Sequence, residues 1–153
     1  MQTYSKLRVR LGLNTPNILE IARHELSKKR PLRIQACGTS MQPSINDGDY
    51  LLVEPCHPSE VRRGDVVLVE TSRATALIRR VVKIEQRNGI NTFIVRADAA
   101  SIYDLPVPFS HFVGKVTSIE KNGSKLDLDK PLTKIRLYLA GLIQKMMKIF
   151  KTP

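Results

Sequence analysis

A chain of 153 residues, 42% hydrophobic and 25% charged, can bury one core and is too short for two independent ones. Its formal net charge of +11 points to an anionic partner: phospholipid, nucleic acid or acidic protein. Aromatics are only 5% of residues and tryptophan is absent, so the stacking platforms used on single-stranded nucleic acid are missing and that partner is the least expected.

Residues 1–30 are polar and basic with no sustained apolar run, so neither a secretory leader nor a membrane span is expected, and a cytoplasmic protein follows. Thr15-Pro16 reads as a helix N-cap with proline in the first turn. Ile18, Ile21, Ala22 and Leu26 then recur at helical spacing, which predicts a helix over 16–29. From Leu32 the pattern shortens to strands at 32–37, 50–54, 65–70, 76–85, 92–96 and 112–120. Turn residues separate them, notably Asn46-Asp47-Gly48-Asp49, Arg63-Gly64-Asp65, Asn88-Gly89 and Asn122-Gly123.

Pro131 opens a last predicted helix. Ile135, Leu139, Leu142, Met146 and Ile149 form its apolar stripe, with Lys145, Lys148 and Lys151 on another face. The preferred placement packs the stripe on the sheet or the first helix. The other places it at an anionic membrane surface, making the protein peripheral there. The expected organisation is a helical extension at 1–31, a β domain at 32–130 and a basic amphipathic helix at 131–153. Cys37 and Cys56 lack zinc-ligand spacing and are too few for a disulfide scaffold; no metal and no cofactor are expected.

The segment richest in chemistry is Gly38-Thr39-Ser40-Met41-Gln42-Pro43-Ser44-Ile45, followed by Gly48-Asp49 and an apolar strand. Gly38 lets backbone approach a ligand, Pro43 stiffens the turn, and N–H groups around Gly38 and Ser40 can face a developing oxyanion. Taken alone, a Gly-x-Ser triplet is an ordinary surface turn. The whole string resembles the nucleophile box of the signal peptidase I family, in which serine, methionine and proline precede a Gly-Asp turn. The resemblance continues through Arg63-Gly64-Asp65-Val66-Val67-Leu68, Leu77-Ile78-Arg79-Arg80-Val81-Val82, Arg96-Ala97-Asp98, Asp104-Leu105-Pro106-Val107-Pro108 and Phe112-Val113-Gly114-Lys115-Val116.

This resemblance implies a mostly β fold: a coiled antiparallel sheet or partly open barrel, as in the signal peptidase catalytic core, with N-terminal and C-terminal α-helices. It implies a serine endopeptidase acting on an extended peptide or protein substrate, with Ser40 as nucleophile and Met41, Pro43 and Gly38 shaping its loop. The family's base is a lysine, or in some relatives a histidine, each able to be neutral near physiological pH. Here Arg79 holds that position and Arg80 follows it. A guanidinium does not give up its proton in proteins. Shifting the match to Arg80 finds a second arginine on the other face, and Lys83 lies roughly 13 Å along the strand.

The expected dyad is therefore broken, which leaves an inactive peptide-binding relative, a base supplied by His57 or His111, or slow chemistry through water. Asp98 and Asp104 match acidic positions of the family and can anchor Arg79 or Arg80 by charge-assisted hydrogen bonds. Asp47, Asp49 and Asp65 read as turn residues. Ala97 replaces a usual glycine, and no membrane anchor precedes the serine box. The self-cleaving domains of SOS-type repressors belong to the same Ser-Lys clan. The Ala140-Gly141 bond that such a reading would use falls in the predicted last helix, so it ranks last.

Overall fold

The computed structural model describes residues 16–104 and 106–151. The chain runs α1 (Pro16–Ser27), β1 (Leu32–Gln35), β2 (Tyr50–Glu54), β3 (Val66–Glu70), β4 (Ala76–Arg87), β5 (Ile90–Arg96), β6 (Val107–Pro108), β7 (Phe112–Lys121), β8 (Ser124–Asp127) and α2 (Pro131–Phe150). It is mostly β, as expected: one antiparallel sheet in the order β1-β2-β7-β3-β4-β5-β6, curled into a half-barrel. β7 carries β2 along one edge. Along the other it carries β3, through Phe112 to Val116, and then β8, through Ser118 to Lys121.

Register irregularities at Leu52/Val53, Leu68/Val69 and Val81/Lys83 supply the bends that curl the sheet. The last follows directly after Arg79 and Arg80. The curl buries both faces of β3, where Val66 and Leu68 enter one apolar cluster and Val67 and Val69 another. This explains the unbroken apolar run in its sequence. The first cluster holds Met41 and Ile45 of the serine loop together with α1. The second is built around Phe93, whose ring stacks on Phe109 with centroids 4.3 Å apart.

α1 buries Ile18, Leu19, Ala22 and Leu26, with Ile21 only half-buried. It ends two residues before the predicted limit, because Lys29 turns to φ 57° and closes a Schellman motif: Lys29 N–H donates to Leu26 and Arg30 N–H to Glu25. Thr15 lies outside the described residues, as does the rest of the segment before it. Close approach of α1 to the sheet needs Gly114, since a Cβ there would come within 2.7 Å of Val53 Cγ1 and 2.9 Å of Leu26 Cδ1.

α2 departs from its preferred placement. It buries none of its residues, and Ile135, Leu139, Leu142, Met146 and Ile149 are all 41% exposed or more. The helix is held instead by Leu137 against the first cluster and by an ion pair, Lys134 Nζ to Asp65 Oδ1 at 2.8 Å. Asp65 is thus more than a turn residue. Its carboxylate is buried, accepts from the Arg62 N–H, and lies 3.4 Å from Lys115. Burial alone pushes its pKa up; Lys134, the Arg62 N–H and Lys115 together outweigh that and hold it below the ordinary aspartate value. A depressed folded-state pKa adds stability above the unfolded value, which is lost as pH falls through the folded one. Thermal stability should therefore fall from about pH 4 downward. Asp65→Asn should cost roughly 2 kcal/mol at neutral pH, below the range for fully buried pairs because Lys134 is partly exposed, and should flatten the acid limb. An unchanged acid limb in the variant would show that Asp65 is not the titrating anchor.

Candidate active site

Ser40 sits on the loop between β1 and β2, opposite β4. Gly38 takes φ 89°, Met41 buries its side chain, and the Gln42-Pro43 bond is cis. The Ser40 carbonyl accepts from the Ala99 N–H at 3.0 Å, so the segment after β5 fixes the backbone under the hydroxyl. The Gly38 N–H donates to Asp47 Oδ1 at 2.8 Å; facing an oxyanion would require it to leave that bond. Ser40 itself is exposed, at the edge of a small pocket of about 70 Å³ walled by Ala36, Met41, Ile45, Leu77 and Ile78.

Register sets the two arginines: Arg79 lies opposite Val67, and Arg80 opposite Val66. Adjacent strand residues point to opposite faces, so their side chains diverge. Arg79 Nη1 reaches Ser40 Oγ at 3.4 Å and donates to the Ile78 carbonyl at 2.9 Å, while Nε donates to Asp104. Arg80 grips Asp98 in a bidentate pair at 2.7 and 2.6 Å, and also donates to the Gly64 carbonyl at 2.8 Å and to Ser44 Oγ at 3.1 Å. Each arginine thus has its own aspartate from the segment linking β5 to β6. Ala97, in that segment, is buried without a left-handed backbone, so the usual glycine is not needed there.

The structure brings Ser40, Arg79 and Asp104 into one cluster and Arg80 and Asp98 into a second. Ser44 and Gly64 were missed as ligands of Arg80. The available signal was the arginine itself: a partly buried guanidinium has five N–H donors and needs more acceptors than one carboxylate provides. Cys37 also lines the Ser40 pocket.

No histidine, lysine or carboxylate lines that pocket among the described residues. His57 instead caps the 3-10 turn Pro58–Glu60, its Nδ1 2.6 Å from Ser59 Oγ, and His111 ends the turn Phe109–His111. Lys83 is largely exposed and pairs with Glu85. Burial, reinforced by Glu60, pushes the Cys56 thiol up to about 11, which disfavours its nucleophilic thiolate form.

The Ala140-Gly141 bond lies inside α2 in helical backbone. Among the described residues no helix is long and apolar enough to cross a membrane.

No curated protein matches the chain. A family model does, over residues 17–107, which takes in α1, the serine loop, both arginines and both aspartates and ends at the first residue of β6. That span exceeds half of the 153 residues; at the level of the family it supports a serine-protease-like or self-cleaving function and does not single out signal peptidase I. The chain belongs to the Peptidase S24-like family.

Proposed function

We propose that this protein is a peptide-binding relative of the Ser-Lys peptidases that holds an extended segment beside Ser40 without hydrolysing it. The observation that carries this reading is the contact between Arg79 Nη1 and Ser40 Oγ. Activating a serine needs a neighbour that accepts its proton. Arg79 offers only donors, and Asp104 stabilises its positive charge. A fixed cation beside the hydroxyl cannot act as general base, yet it suits recognition of a carbonyl or carboxylate on a bound chain. Strand addition along the half-barrel would supply the main-chain hydrogen bonds, with the small apolar pocket admitting a short side chain. The signal peptidase I-like endopeptidase remains the competing reading, with the same groove and Ser40 as nucleophile.

A degenerate library of extended peptides separates the two. Wild type and Ser40→Ala should retain the same peptides with affinities within about threefold of each other, and neither should generate products or, for wild type, react with a fluorophosphonate probe. Products formed by wild type and absent with Ser40→Ala would replace the binding reading with the enzymatic one.

A further inference from the structure

The face that α2 turns to the protein carries two of its lysines. Lys134, Tyr138, Gly141 and Lys145 recur on successive turns and line a cavity of about 410 Å³ between the helix and the half-barrel. The opposite face carries Leu132, Leu139, Ile143, Met146 and Phe150, each more than half exposed, so an apolar stripe runs along the outside of the molecule. No acidic residue occurs anywhere in α2.

The cavity is strongly cationic. Arg63, Arg80, Arg96, Lys134 and Lys145 line it against one acid, Asp98. Arg80 is matched by Asp98, and Lys134 by Asp65. Arg63 and Lys145 have no carboxylate partner among the described residues, and the buried Nε of Arg96 has no hydrogen-bond acceptor. Ile135, Tyr138 and Leu142 give the same cavity an apolar wall.

We propose that α2 is an interfacial helix that seats the protein on an anionic phospholipid surface, its outer stripe among the acyl chains and a lipid phosphate drawn into the cationic cavity behind it. The two halves fit one occupant. An apolar stripe backed by cations is the pattern of a helix lying in the headgroup region, and it is not long and apolar enough to span. Unmatched cations at headgroup depth favour anionic over neutral lipid. A second copy of the chain fits less well: joining two α2 stripes would cover the apolar face but, with no acid anywhere on the helix, would leave Arg63 and Lys145 in the cavity behind it without an anion. The inference is independent of whether Ser40 cleaves peptides.

Co-sedimentation of the full chain with vesicles of phosphatidylcholine alone, or enriched in phosphatidylglycerol, tests it. Binding should be roughly tenfold or more tighter on the anionic vesicles and should weaken as salt rises. Replacing Ile143→Asp together with Met146→Asp should abolish it with no change in thermal unfolding, because both side chains are exposed in the free protein. Arg63→Glu with Lys145→Glu should remove most of the preference for anionic lipid. The proposal is overturned by absence of binding to anionic vesicles at low salt, by equal binding to neutral ones, or by a lowered melting temperature in the Ile143/Met146 variant. It is equally overturned by a dimer that this variant dissociates while wild type ignores vesicles.

Discussion

Arg79→Lys is expected to bring peptide cleavage to the groove beside Ser40. The substitution places an amine, whose proton can be lost, where the guanidinium now meets Ser40 Oγ. General-base assistance contributes on the order of a hundredfold or more, so hydrolysis by the variant should exceed wild type by about that factor, while Arg79→Ala should show none. The neighbouring Asp104 sets the pH dependence. Its carboxylate pairs with the side chain at position 79 and would favour the charged ammonium, so the single variant should need alkaline conditions. Adding Asp104→Asn removes that opposite charge, lowers the lysine pKa and should move the rise in activity toward neutral pH. Assays of cleavage rate against pH for both variants check the argument. If both are inert toward peptides and toward a fluorophosphonate probe, the groove has diverged from a peptidase by more than its base.

The parts of the fold that could be read in the chain are those dictated by local chemistry. Asn88-Gly89 and Asn122-Gly123 announced hairpins because their turns need positive φ at both residues, and these four residues have it. The strand after the second turn, Ser124–Asp127, escaped because its polar residues show no apolar alternation and it is short. The two-residue strand Val107–Pro108 escaped because proline argues against a central strand, though it is tolerated at this edge. The pairing of Ser40 with Arg79 was legible through motif order. Its supporting shell was not: the Gly64 carbonyl and the Ser44 hydroxyl reach Arg80 only after distant segments fold together. Periodicity likewise showed that the last helix has an apolar stripe and a basic face, but which face meets the body is a tertiary outcome. Here Asp65 and the space beside Arg80 drew the lysines inward.

The Arg80–Asp98 pair should be the largest single contribution of this site to stability. Asp98 is 8% exposed at its side chain and Arg80 21%, and the bond is bidentate. Asp98→Ala removes the charge that compensates a partly buried guanidinium, whose remaining acceptors, the Gly64 carbonyl and Ser44, are neutral. Breaking such a pair from one side costs about 3–5 kcal/mol, which in a chain of this length lowers the melting temperature by on the order of 10 °C. The loss should also reach Ser40. Asp98 precedes Ala99, whose N–H holds the Ser40 carbonyl, so slackening this segment loosens the backbone that positions the hydroxyl, and peptide affinity should fall with stability. Replacing both partners, Arg80→Met with Asp98→Leu, should recover most of the melting temperature, because an apolar pair leaves no unmatched charge. Peptide affinity should recover less, since the apolar pair lacks the directed hydrogen bonds that orient the segment. A shift of less than about 2 °C in Asp98→Ala would show that water or neighbouring groups already satisfy Arg80, and the pair would then be an ordinary surface contact.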